Sequence, residues 1–238
     1  MTQPPDPETP SPATGHSPLA SSVAEELRTP RAAGVAGVIF ALAIIAVEIL
    51  IHQAIPTDGD QAAWISDPTR RGQLSSALTL VPYAGIAFLW FIGVIRARLG
   101  DREDKLFATT FLGSGLIFVA MLFSSAAVLG GLLVLQAGPN SASIEQVRLF
   151  SATSTVLLST FGIRMAAVFT LVVTNLGRRT GIVPMWLQVV GYAAALVLLL
   201  APPRTFWAVV LFPLWVLLLS VQILVSGGPA ERTGSSTT

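Results

Sequence analysis

The chain has no cysteine, which excludes disulfides, thiolate metal sites, a cysteine nucleophile and acylation on cysteine. It has two histidines, and without thiolates these leave too little for a transition-metal site, so no metal is expected. Charge is scarce too. Only 11% of the 238 residues are Asp, Glu, Lys or Arg, against about 25% in soluble domains. The net charge of +1 provides no basic face for nucleic acid. Neither a phosphate-binding Gly-Lys-Ser/Thr loop nor a dinucleotide glycine pattern occurs, so no cofactor is expected. Asp58-Gly59-Asp60 has the look of a calcium loop. It lacks an acid at Ala62, and Thr69 stands where the closing Glu belongs. Lys105 is the only lysine among 14 basic residues, which reads as the codon bias of a GC-rich, hence bacterial, genome.

The missing charges leave long apolar runs, and runs of about 18 or more such residues read as membrane spans. Lipid offers the backbone no hydrogen bonds, so each span must be a helix. A transmembrane β-barrel would alternate apolar and polar residues, whereas Ala193 to Leu200 is apolar throughout. The expected fold is an all-α membrane protein, a bundle of about six transmembrane helices between polar tails. Spans are expected at about 32–51, 75–95, 106–136, 149–176, 183–200 and 206–225. Residues 1–30 hold seven of the 16 prolines and read as a disordered tail. Residues 227–238 read as a second one.

Lysine and arginine in the flanks set the orientation. With both termini in the cytoplasm, nine basic residues fall on the inner side and four on the outer, with Arg164 inside a span. Arg70 and Arg71 dissent. The expected location is thus the cell (inner) membrane, crossed several times. The outer connection His52–Gly72 is the longest, with an interfacial helix near Gln61–Ser66 that stops at Asp67-Pro68. Trp64 and Trp207 are expected at the outer interface and Trp186 at the inner one, with Trp90 and Trp215 packed inside. Small residues four apart mark expected close helix contacts: Ala33, Gly37 and Ala41; Ala127 and Gly131; Gly191 and Ala195. Pro82 and Pro213 lie inside spans and interrupt their hydrogen-bond ladders.

Two residues stand out chemically. Arg164 is at the middle of the fourth span, where an ionised side chain costs at least ~2.5–3.5 kcal/mol. Glu48 is the only acid within any span. Helical side chains point toward their own N-terminus, so in antiparallel helices the two reach similar depths. An ion pair between them is one expectation, with Ser159, Thr160 and Tyr83 as hydrogen-bond supports. A polar ligand site formed by Arg164, Glu48 and Tyr83 is the other. The hydroxyls of the fourth span (Ser151, Thr153, Ser154, Thr155, Ser159, Thr160, Thr170 and Thr174) are expected to return hydrogen bonds to their own helix or to bridge helices. None reads as a nucleophile, since no histidine lies in a span to serve as base.

No catalytic motif is present, so the expected role is non-enzymatic: binding of a lipid or small ligand, or membership of a membrane assembly. The rivals are a small transporter with its site around Arg164 and, last, a membrane-embedded enzyme. Expected partners are membrane lipids, other membrane subunits or further copies of the chain. Because the chain has no cysteine of its own, single cysteines report its orientation. Gln61→Cys should react with a membrane-impermeant maleimide in intact cells and Ser235→Cys only after lysis; the reverse pattern would invert the topology.

Overall fold

Charge-free runs this long leave the backbone no alternative to helix, and a computed structural model shows them as such. It describes residues 30–55, 63–99, 105–139, 141–180, 183–202 and 206–226. The helices are α1 (Pro30–Ala54), α2 (Pro68–Leu99), α3 (Lys105–Ala137), α4 (Ile144–Thr155), α5 (Ile163–Thr180), α6 (Met185–Leu200) and α7 (Phe206–Ser226). A π-helical segment, Val156–Gly162, joins α4 to α5 into one rod, so six rods form the bundle. No strand occurs among the described residues. Five rods are long and apolar enough to cross a membrane. The sixth, α6, has 16 residues, or about 24 Å at 1.5 Å per residue. The protein is an α-helical membrane protein. The predicted terminal tails, the Asp58–Asp60 triplet and the charges at 101–104 lie outside the described residues.

The rods form a closed ring in the order α1, α2, α3, α4–α5, α6, α7 and back to α1. Neighbours run antiparallel. Gln53 bonds Gln73 at 3.2 Å at one end of α1 and α2, while the Gly37 backbone meets Phe91 near the other. Ser125 meets Ser154 at 2.7 Å across α3 and α4, and Gly191 meets Thr174 across α6 and α5. The two ends of the bundle are therefore an Ala54 end and a Leu99 end.

Packing between helices in lipid rests on close fit rather than on exclusion of water. Five rods each send a phenylalanine to one point: Phe40 from α1, Phe88 from α2, Phe118 from α3, Phe169 from α5 and Phe212 from α7. Phe88 is the hub. Its ring centroid lies 4.5 Å from Phe40, 5.1 Å from Phe169, 5.4 Å from Phe118 and 5.7 Å from Phe212. These spacings suit edge-on and tilted aromatic contact, and all five rings are buried. A smaller cluster, with Trp64, Leu74, Leu132 and Val147, closes the Ala54 end.

Several sequence expectations need correction. Asp67-Pro68 ends the turn before it, as expected, but also starts α2, which begins at Pro68 rather than near 75. The Asp67 carboxylate accepts from the Thr69 amide at 2.8 Å as an N-cap, and Pro68 takes the first helical position, where no amide hydrogen is needed. Arg70 and Arg71 therefore lie in the first turn of α2, with Arg70 3.5 Å from Asp67. Of the expected interfacial helix, Ala63–Ser66 forms a 3-10 turn, and residues 61–62 lie outside the described residues. Trp64 is 2% exposed and packs into the cluster at the Ala54 end, while Trp90, expected to be packed inside, is 56% exposed on the outer wall of the bundle. Trp215 is buried, as expected, and Trp186 is exposed. The side chain of Trp207 lies outside the described residues. Ala33, Gly37 and Ala41 form a buried seam, with Gly37 against Ser220 and Phe91. Gly191 and Ala195 are buried too, but Ala127 faces outward.

Phe88→Ala should lower stability in mixed micelles by roughly 3–5 kcal/mol, the usual cost of emptying a buried phenylalanine site. Phe161→Ala, on the outer wall, should shift it by only about 0.5 kcal/mol.

Candidate functional site

The π-helical segment determines where Arg164 goes. The amide of Ile163 donates to the Leu158 carbonyl, five residues back. Where such a ladder returns to four-residue spacing, one carbonyl is skipped and needs another donor. Arg164 Nη1 donates to the Ser159 carbonyl at 2.9 Å and the Thr160 carbonyl at 3.1 Å. Its Nη2 donates to the Ala201 carbonyl at 3.4 Å. Ala201 caps α6, so the guanidinium lies against the negative end of that helix. Ser159 and Thr160 thus support Arg164, as the sequence suggested, but through their carbonyls. The Ser159 hydroxyl donates to Thr155 O at 2.6 Å instead.

Arg164 is central by residue count, yet its guanidinium lies at the level where α6 ends. Beyond that level the rod continues into α4, whose Glu145, Gln146 and Arg148 are exposed. Thr155 returns its hydrogen bond to Ser151 O and Thr170 to Ala166 O, while Ser154 bridges to Ser125. The hydroxyls of Ser154, Thr155, Ser159 and Thr170 therefore serve helix and helix contact, as expected, whereas those of Ser151 and Thr174 are buried without a hydrogen-bond partner among the described residues.

Glu48 has a different environment. It is 9% exposed and has no hydrogen-bond or ion-pair partner among the described residues. No Glu48–Arg164 ion pair forms. Glu48 instead lines a cavity with room for the centre of one water molecule, about 10 Å³. The other lining residues are Ile44, Phe118, Leu122, Leu158, Ile163, Val209, Phe212 and Pro213, all apolar. Phe118 and Phe212 belong to the aromatic cluster, so the cavity sits on the Ala54 side of the phenylalanine hub. Pro213 has no amide hydrogen, so the Val209 carbonyl, four residues back, loses its helical donor. Leu158 and Ile163 come from the π-helical junction and adjoin Ser159 and Arg164 in the chain. The two ionisable residues thus share one junction while using different surroundings. Tyr83 joins neither: it is 65% exposed on the outer wall of α2.

Sequence reasoning missed the cavity. Pro213 was a visible signal, and it marks Val209 as a carbonyl in want of a donor. Nothing in the sequence marked Phe118 or Phe212. Comparison of the chain with protein-family models, with curated proteins and with solved structures finds no match.

Arg164→Ala should cost at least ~2 kcal/mol in mixed micelles, because hydrogen bonds to a charged group contribute ~1.5–3 kcal/mol each. Glu48→Gln should change stability little. In the double variant the two effects should add to within ~0.5 kcal/mol; a larger coupling would restore the ion pair.

Proposed function

We propose that the protein is a non-enzymatic membrane protein that binds a small ligand inside its helix bundle, with Glu48 as the recognition group. The observation that carries this reading is an acidic residue nine-tenths buried, without a partner among the described residues, beside a small cavity. A buried polar group without a hydrogen bond is costly, and such a group is retained in membranes where it does work. Arg164 has a structural part in this reading, joining the π-helical junction to the end of α6. Tyr83 faces the surrounding lipid. The chain lies in the cell membrane with its termini in the cytoplasm, which makes the Ala54 end the outer one. Lipids are its first partners, and its exposed apolar wall also suits other membrane subunits.

A transporter is the second reading, and one observation favours it: the cavity adjoins two breaks in regular helix, Leu158 in the π-helical segment and Pro213 in α7. Such breaks are where membrane helices bend. Either reading requires that small apolar molecules reach Glu48. Dicyclohexylcarbodiimide, an apolar reagent that adds to carboxyl groups, should modify Glu48 in lipid nanodiscs, and mass spectrometry should locate the adduct on its peptide. A chain still unmodified at Glu48 after prolonged incubation would reduce the bundle to a static structural subunit.

A further inference from the structure

We infer that two copies of the chain pair side by side in the membrane along the outer face of α2. This goes beyond the ligand-binding reading and does not depend on it. Between their ends, α1 and α7 expose only aliphatic side chains, Leu42 and Leu218 among them. α2 differs. Ser76, Thr79, Tyr83, Ile86, Trp90 and Gly93 are all exposed and lie alternately three and four residues apart. That spacing is the seam along which two helices wind round each other.

Tyr83 makes lipid a poor cover for this seam. It lies halfway between Arg71 and Arg96, about 18 Å along the helix from the one and about 20 Å from the other. On a single chain its side chain is 65% exposed to lipid, and its hydroxyl has no hydrogen-bond partner among the described residues. The hydrocarbon core is about 30 Å thick, so this depth is beyond water and the lipid ester groups. A hydroxyl left there without a partner is costly. Lipid tails bring no acceptor to that depth, whereas another protein surface does.

The chemistry of the seam selects a second copy. Two chains inserted the same way are related by a two-fold axis along the membrane normal, and each residue near that axis meets its own equivalent at the same depth. Hydroxyls suit such a contact because each both donates and accepts. The Thr79 hydroxyl donates to the Ser75 carbonyl of its own helix at 2.9 Å, which leaves its oxygen as an acceptor. A helical side chain leans toward its own N-terminus, and this takes the Tyr83 hydroxyl toward the level of Thr79 on the second copy. No charged residue occurs from Ser76 to Gly93, so the two-fold axis brings no like charges together. Among the described residues, nothing beyond its own helix backbone lies within 4 Å of where a Cβ on Gly93 would sit, which leaves that backbone open to close approach.

The test uses the full chain carrying a donor or an acceptor dye at Ser235→Cys, in phosphatidylcholine vesicles diluted stepwise with lipid. Energy transfer should exceed that of random encounter and fall on dilution along the curve of a monomer–dimer equilibrium. Tyr83→Phe, which removes one oxygen, should weaken the dimer roughly threefold or more. Gly93→Leu, which fills space open on the single chain, should weaken it at least ~tenfold by holding the backbones apart. Leu42→Phe, on the wall of α1, should change it less than about twofold. In otherwise unlabelled chains, Ile86→Cys should give a disulfide-linked dimer on mild oxidation, and Leu42→Cys should not. Transfer at the random level at every dilution would mean that lipid covers the seam. Transfer unchanged by both Tyr83→Phe and Gly93→Leu would put the contact on another face. Either result overturns the assignment. Should those two variants fail to fold, the Ile86→Cys cross-link decides, and its absence overturns the pairing.

Discussion

The contact of Phe88 with four other phenylalanine rings organises the bundle. Each ring comes from a different rod, so placing Phe88 fixes α1, α2, α3, α5 and α7 relative to one another. Water is not displaced when helices meet inside a bilayer, so this fit must be gained by close contact. Large flat rings at tilted and edge-on angles give much contact for little side-chain freedom. The glycines at 37, 85 and 115 then let neighbouring side chains pack onto the helix backbone: Gly37 meets Phe91 and Ser220, Gly85 meets Phe123, and Gly115 meets Ile92 and Phe169. The cavity beside Glu48 is the point on the Ala54 side where this aromatic packing gives way.

A second constraint is the need of every backbone group for a partner in lipid. α6 is too short to carry its last carbonyls far out, and the π-helical segment skips a carbonyl on the adjacent rod. One arginine serves both places. Its planar fork holds several donors at fixed angles, which a lysine cannot reproduce. Arg164 is thus held by carbonyls and needs no acid, which leaves Glu48 unpaired although the two lie at the same junction.

The rods themselves were legible because a charge-free run is a direct physical signature of a span. α3 was expected at 106–136 and runs over Lys105–Ala137; α7 was expected at 206–225 and runs over Phe206–Ser226. The start of α2 was misplaced because aspartate before proline signals both a break and a beginning, and only the Thr69 amide distinguishes them. The π-helical segment left no mark, since its residues, Val156 to Gly162, would fit an α-helix equally well. Which face of a helix turns inward was the hardest feature to read. A membrane helix is apolar all round, so periodicity does not separate Trp90 on the outer wall from Trp215 in the core, or tell that Tyr83 faces away from Arg164. Azimuth required the neighbours, and so did the depth of Arg164, whose guanidinium lies at the end of α6 although the residue is central in its rod.

The unequal rods also act on the bilayer around them. On the α6 side the apolar helix spans about 24 Å, short of the ~30 Å hydrocarbon thickness. On the α3 side a rod of 33 residues exceeds it. Lipids meeting this perimeter are compressed along one flank and stretched along the other, and each ångström of mismatch costs a fraction of a kcal/mol. The perimeter of the bundle is thus uneven in hydrophobic thickness, and a surrounding bilayer has to bend to match it.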